Sequence, residues 1–133
     1  MLKARISKEV VIRVHNEIGV LANLSKLIAE KGINILAASA WVNGAEGFVH
    51  LVTDDNLRVV DALRAKSYNP REQDVVLLES PHKPGLLRHV TERLAGAGID
   101  IHHLYASAAL DQDRCLIAFA CADNDRAVVL LNT

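Results

Sequence analysis

The chain of 133 residues contains an internal repeat, and this repeat constrains its fold more than any other feature. Gly-Val-Leu at 19–21 recurs as Gly-Leu-Leu at 85–87, and Gly-Ile-Asn-Ile at 32–35 recurs as Gly-Ile-Asp-Ile at 98–101, both 66 positions later. A fixed offset between matching segments indicates a repeated structural unit. The sequence therefore predicts two copies of one unit, each of about 66 residues.

Hydrophobic periodicity predicts the same order of elements in both copies. The first copy gives a strand, a helix, a hairpin, a second helix and a final strand, at 9–14, 20–31, 33–42 with 46–53, 56–66 and 69–73. The second copy gives a strand, a helix and a hairpin, at 74–79, 84–97 and 99–110 with 114–121. Asn43-Gly44 suits the first hairpin turn, and 111–113 is the predicted second turn. Pro84 suits a first helical position, and Gly32 and Gly98 suit helix ends.

Strand, helix, strand, strand, helix, strand is the order of the ferredoxin-like fold. We therefore expect an α+β protein with two ferredoxin-like βαββαβ domains, at 1–73 and 74–133, packed side by side into one extended antiparallel sheet with the helices on one face. The second domain is truncated and lacks its last strand, which leaves the strand at 74–79 with an open edge. Residues 2–7, or a strand from another chain, are expected to cover that edge.

The strand at 33–42 is apolar on both faces, which is typical of a sheet that is covered on both sides. We therefore expect a homodimer, formed through the sheet face or through the open strand edge. The alternative is that dimerisation is the whole role of the protein, as a ferredoxin-like interaction module that binds no small molecule.

Charge and motif content argue against several other functions. A net charge of −1 and a pI near 6.6 do not fit a nucleic-acid-binding surface, and an aromatic content of 4% does not fit an RNA-binding sheet. The six histidines lack zinc-site spacing, and the serines and cysteines lack a nucleophile motif. Cys115 and Cys121 are about 20 Å apart in one predicted strand, too far for a disulfide. We expect a cytoplasmic protein without catalytic residues, metal, cofactor, nucleic acid or membrane contact.

Two short loops carry the clearest functional signal. They read Asn-Glu-Ile-Gly-Val-Leu at 16–21 and His-Lys-Pro-Gly-Leu-Leu at 82–87, each between a strand and a helix. Together with the later Gly-Ile-Asn-Ile and Gly-Ile-Asp-Ile, this order resembles the ACT domain, a small regulatory module that binds amino acids. The resemblance covers nearly the whole chain in tandem. It implies a non-catalytic, allosteric sensor of a small amino acid, acting on a partner that the sequence does not identify.

The resemblance also implies the site residues. The ligand would contact the loop of one copy and the second strand of the other, which gives two sites, Asn16 with Asp100 and His82 with Asn34. The ligand-binding residues implied in this way are Asn16, Glu17, Ile18, Gly19, Val20, Leu21 and Asn34, and His82, Lys83, Pro84, Gly85, Leu86, Leu87 and Asp100. Ile18 stands where the family has proline, and His82 and Asp100 stand where it has asparagine, so the two sites differ.

Elementary chemistry is consistent with these loops as carboxylate sites. A glycine before a helix lets a ligand approach, and the helix N-terminus offers N–H groups and partial positive charge. The simpler interpretation is that Gly19 and Gly85 only permit a tight turn into the helix. Glu17 is a difficulty for the first loop, because its carboxylate would repel that of the ligand.

Overall fold

The computed structural model describes residues 2–108 and 113–132, which form six strands and four helices. The elements, in chain order, are β1 Lys3–His15, α1 Val20–Glu30, β2 Ile35–Asn43, β3 Glu46–Thr53, α2 Asn56–Arg64, β4 Arg71–Pro81, α3 Leu86–Gly96, β5 Ile101–Ala108, β6 Arg114–Cys121 and α4 Asn124–Leu131. The predicted α+β class is confirmed, and the predicted elements occur in order in both copies; the second copy also contains α4, the counterpart of α2. Positions 109 and 110 of the predicted strand at 99–110, and positions 111 and 112 of the predicted turn, lie outside the described residues.

The chain forms two compact units, which differ from the expected domains at one place. One unit is Lys8–Gln73, and the other combines Asp74–Thr133 with Met1–Ser7. The first seven residues therefore group with the second copy of the repeat rather than with the first.

In the unit Lys8–Gln73, antiparallel strands run in the order β2-β3-β1. Val10 of β1 and Ala38 of β2 both lie opposite Leu51 of the central strand. Alternate residues of β1 and β3 pack against α1 and α2, so both helices cover the same sheet face. The core consists of Val10, Ile12, Leu24, Ile28, Ile33, Val49, Leu51, Val59, Val60 and Leu63.

The other unit repeats this arrangement with the order β4-β6-β5. Its core contains Val76 and Leu78 of β4, Val90 and Leu94 of α3, and Phe119 of β6. The first residues of β1 lie on the free side of β4, where Ala4 is buried in the same core. Of the two alternatives for the open edge, the structure therefore shows residues 2–7 of the same chain.

Several predicted boundaries require correction. The strands expected at 69–73 and 74–79 are one continuous strand, β4, that begins at Arg71. The strand expected at 9–14 begins six residues earlier, at Lys3, because its first residues belong to the other unit. Pro84 lies before the helix and not at its first position, since α3 starts at Leu86 after Gly85. In the described part of the chain, no helix is long and apolar enough to cross a membrane.

Candidate functional site

Each predicted loop connects the first strand of its unit to the following helix and is anchored on the neighbouring hairpin. The N–H group of Asn16 donates a hydrogen bond of 2.8 Å to the carbonyl oxygen of Ala45. In the other unit, the N–H group of His82 donates a hydrogen bond of 2.6 Å to the carbonyl oxygen of Asp113. The two loops therefore have equivalent positions and equivalent anchors in their units.

Both loops end with a glycine in the left-handed backbone conformation. Gly19 has φ of 88° and Gly85 has φ of 91°. A Cβ atom at either position would meet no protein atom within 4 Å. The backbone conformation therefore requires glycine here, and close packing within the chain does not. The same geometry leaves the space above both glycines open.

The helices behind the loops begin without the side-chain caps that close the other two helices. The Asp55 carboxylate accepts a hydrogen bond from the N–H of Arg58 in α2, and Asp123 does the same for Arg126 in α4. In α1 and α3 no side chain caps the N-terminus, and the first turn contains no acidic residue. Backbone N–H groups at an uncapped N-terminus are suited to an anion.

The first loop borders a pocket of about 420 Å³, which we call the first-loop pocket. Five of the six predicted loop residues line it, whereas the side chain of Ile18 points into solvent and does not. The remaining lining comes from the ends of β1 and α1 and from the β2–β3 hairpin. The full lining is Val14, Asn16, Glu17, Gly19, Val20, Leu21, Ala22, Ala40, Trp41, Val42, Gly47, Phe48 and Val49.

The second loop borders a matching pocket of about 400 Å³, the second-loop pocket. All six predicted loop residues line it. The rest of its lining comes from the β5–β6 hairpin. The full lining is His82, Lys83, Pro84, Gly85, Leu86, Leu87, Ala106, Cys115 and Ile117.

The contribution of the hairpins to these pockets is absent from the sequence-based prediction. Ala40 and Ala106 are 66 positions apart and occupy equivalent places in the two pockets. Val49 and Ile117 are also equivalent, since they pair with Ala40 and Ala106, and their offset is 68 positions because the second hairpin is two residues longer. The repeat offset, applied to the predicted hairpins, is the signal that identifies these residues as pairs.

The two residues expected in the second strands, Asn34 and Asp100, lie immediately before β2 and β5 and not within them. The N–H of Asn34 donates to Asp54 Oδ1 at 3.1 Å, and its carbonyl accepts from the Asp54 N–H at 3.2 Å. The carbonyl of Asp100 accepts from the N–H of Ala122 at 2.9 Å. Neither Asn34 nor Asp100 lines the loop pocket of its own unit. Their pairing with the loop of the other copy stays a prediction.

The two pockets carry opposite charge. Glu17 is the ionisable residue in the lining of the first-loop pocket, and its equivalent in the second-loop pocket is Lys83. His82 adds a second nitrogen-bearing side chain there. Burial raises the pKa of the Cys115 thiol, so this side chain is a neutral, apolar part of the wall at pH 7.

Among residues 2–108 and 113–132, no group of three or more histidine, cysteine, aspartate or glutamate residues is placed to hold a metal ion. Cys115 and Cys121 are both buried free thiols, as their spacing predicts. The arrangement offers backbone N–H groups, one charged side chain on each loop and an aliphatic wall, which suits reversible binding of a small carboxylate.

No protein-family model and no curated protein sequence matches the chain. Solved structures do match along nearly the whole chain. Protein BT0572 from Bacteroides thetaiotaomicron superposes with a TM-score of 0.88 at 23% identity, covering 97% of this chain and 88% of that one. The regulatory subunit of aspartate kinase from Thermus thermophilus gives 0.69 at 13% identity, covering 98% and 94%. The corresponding subunit from Thermus flavus gives 0.63 at 14% identity, covering 99% and 94%.

At these identities the likeness concerns the fold. The loops, the glycines at the helix N-termini and the order of elements agree with the resemblance to the ACT domain. The chain therefore has the ACT-like fold that its loop motifs predict, in common with regulatory subunits of aspartate kinase.

Proposed function

We propose that this protein is a non-catalytic regulatory protein that binds a small amino acid at its loop pockets. The observation that carries the proposal is the repetition of one pocket, at an uncapped helix N-terminus, in both units. The names of two structural neighbours, regulatory subunits of aspartate kinase, support a regulatory role.

The pocket chemistry fits a ligand with a carboxylate and a short apolar side chain. The carboxylate would accept hydrogen bonds from the N–H groups at the start of α1 or α3, where the helix dipole also favours negative charge. The aliphatic wall of Val20, Leu21, Ala40 and Val49, or of Leu86, Leu87, Ala106 and Ile117, would contact the ligand side chain. Volumes near 400 Å³ lie within the range of small-molecule sites.

Calorimetry tests the proposal directly. The wild-type protein is titrated with each of the standard amino acids at millimolar concentration, and at least one is expected to bind. The double variant Leu21→Asp/Leu87→Asp should lose that binding, because each new carboxylate lies at a helix N-terminus where the ligand carboxylate would bind. The absence of heat and of any melting shift with all amino acids would contradict the proposal.

A matched control exists on α2. Leu57 is the second residue of its helix, as Leu21 and Leu87 are of theirs, and it is 69% exposed. Leu57→Asp therefore makes the same chemical change at the same helical position, away from both pockets. It should leave amino-acid binding unchanged, and an equal loss in this variant would mean that the effect of the double variant is not local.

We also propose that the protein forms a homodimer through β2. In this strand Ile35, Leu36, Trp41 and Val42 are 39–55% exposed, and the strand contains no charged residue to discourage pairing. Light scattering of the wild type and of Leu36→Lys, which places a charge on the strand, tests this assembly. A dimer that persists unchanged in Leu36→Lys would argue against β2 as the interface.

A further inference from the structure

Equivalent positions of the two loop pockets bear opposite charges. Asn16-Glu17 of the first loop corresponds to His82-Lys83 of the second. The backbone geometry around them is the same, with a left-handed glycine and an uncapped helix in both units. A difference in ligand chemistry between the pockets must therefore come from these side chains and from the hairpin wall.

An amino acid is a zwitterion, so its site must offer a partner to the ammonium group as well as to the carboxylate. The first-loop pocket offers the Glu17 carboxylate. The described lining of the second-loop pocket contains no carboxylate, and Lys83 would repel an ammonium group placed beside it. For a ligand that has a carboxylate and no ammonium group, Lys83 and the N-terminus of α3 are both attractive.

The wall of the second-loop pocket is aliphatic, whereas Trp41 and Phe48 contribute to the lining of the first. Cys115 stands where the first-loop pocket has Gly47, and Ile117 stands where it has Val49. The other wall residues, Leu86, Leu87 and Ala106, also lack polar side-chain atoms. This wall suits a short hydrocarbon chain, and its side chains provide no strong hydrogen-bond partner for a polar or charged one.

We infer that the second-loop pocket binds a short aliphatic carboxylate that lacks an α-ammonium group, such as a branched 2-oxo acid. The inference rests on the proposed function for the first-loop pocket and narrows it for the second, because it divides the two ligands by charge. The first-loop pocket takes the zwitterion, with Glu17 facing its ammonium group, and the second takes the anion.

Three compounds that share one hydrocarbon chain test this division. L-leucine, 4-methyl-2-oxopentanoate and 4-methylpentanoate differ only at the α-carbon, and each is titrated calorimetrically into the wild-type protein. Ala40→Leu and Ala106→Leu block the first-loop and second-loop pockets, respectively, since both alanines are solvent-exposed strand residues in the pocket wall. We expect Ala106→Leu to abolish binding of both carboxylates and to spare L-leucine, and Ala40→Leu to do the reverse.

The charge itself is tested by Lys83→Glu, which gives the second loop the charge pattern of the first. This side chain is exposed, so the variant should fold. We expect the affinity for 4-methyl-2-oxopentanoate to fall about tenfold, the size of one lost charge-assisted contact. Lys66→Glu makes the same charge change at an exposed lysine outside both loop pockets and should leave that affinity unchanged.

The possible results separate this inference from the proposed function. If L-leucine or another amino acid binds at the second-loop pocket and both carboxylates fail to bind, the inference is wrong and the proposed function stands. If the carboxylates bind as described and no amino acid binds anywhere, the proposed function is wrong and the inference stands. An unchanged affinity in Lys83→Glu would overturn the inference even if Ala106→Leu blocks binding.

Discussion

Gly19 and Gly85 show how one residue fixes the geometry of each loop. At a φ near 90° a side chain is strained whatever the surrounding space, and here the space is empty. The interpretation that these glycines only permit the turn thus accounts for their backbone conformation, while the open space above them is where the proposed ligand would bind. The two interpretations are compatible, since the turn is what directs the helix N-terminus toward the pocket.

The strain at Gly85 can be measured against a glycine in the same helix. Gly85→Ala should lower the free energy of unfolding by about 1–2 kcal/mol, the cost of a Cβ in the left-handed region. Gly96 is the last residue of α3, has no positive φ and has open space around its Cα. Gly96→Ala should therefore raise the free energy of unfolding by about 0.5–1 kcal/mol. Urea denaturation measures both, and equal effects of the two substitutions would contradict this account.

At the level of the elements, a buried polar cluster joins three strands of the unit Lys8–Gln73. Glu9 of β1 is 1% exposed, and its Oε1 atom lies 2.7 Å from His50 Nδ1 of β3. The side-chain amide of Gln73 in β4 donates to the same carboxylate oxygen at 2.6 Å. Trp41 of β2 lies against the His50 ring, with the centroids 5.1 Å apart. The cluster therefore connects strands whose residues are far apart in the sequence.

The strands that form this cluster can be predicted from the sequence, but the contact between its side chains cannot. Periodicity identifies β1, β3 and the hairpin because the apolar residues alternate locally. It also begins the predicted strand at Glu9, but it gives no sign that this carboxylate is buried. The partner His50 is 41 positions away, and only the register of β1 on β3 brings the two together. The sequence does not indicate the pocket walls for the same reason, since only the pairing of the strands places Ala40 and Ala106 beside the loops.

Removing one side chain of the cluster should lower the free energy of unfolding more than replacing two of them together. His50→Ala leaves a buried carboxylate with fewer partners, and we expect the free energy of unfolding to fall by about 3 kcal/mol. The double variant Glu9→Leu/His50→Leu removes the charge together with its partner and should be clearly more stable than His50→Ala. Thermal and urea unfolding of both proteins provide the comparison. If the double variant is the less stable one, the cluster has a different energetic role.

For the molecule as a whole, the repeat predicts the number and kind of units, but not how the chain is divided between them. Among the described residues, α4 is the last element of the second copy, and none corresponds to the strand expected at 69–73. The first residues of β1 lie beside β4, in the place that this strand would take. A local sequence pattern cannot assign residues 2–7 to either copy, because the place of an edge strand depends on the strand with which it pairs. The unit that contains α4 therefore depends on a segment from the other end of the sequence.

Asn132 fastens this segment. Its side-chain oxygen accepts a hydrogen bond of 2.8 Å from the N–H of Ala4, and its amide nitrogen donates one of 2.8 Å to the carbonyl oxygen of Ala4. Asn132→Ala leaves both partly buried backbone groups without these partners and should lower the free energy of unfolding by about 2 kcal/mol. A decrease of several degrees in Tm is the expected readout. Asn69, an exposed asparagine in the other unit, provides the control, and Asn69→Ala should change stability by less than about 0.5 kcal/mol.

Deletion of 1–7 removes Ala4 from its core altogether and should lower Tm further than Asn132→Ala. If the deletion leaves Tm unchanged, these residues are not the fourth strand of that unit in solution.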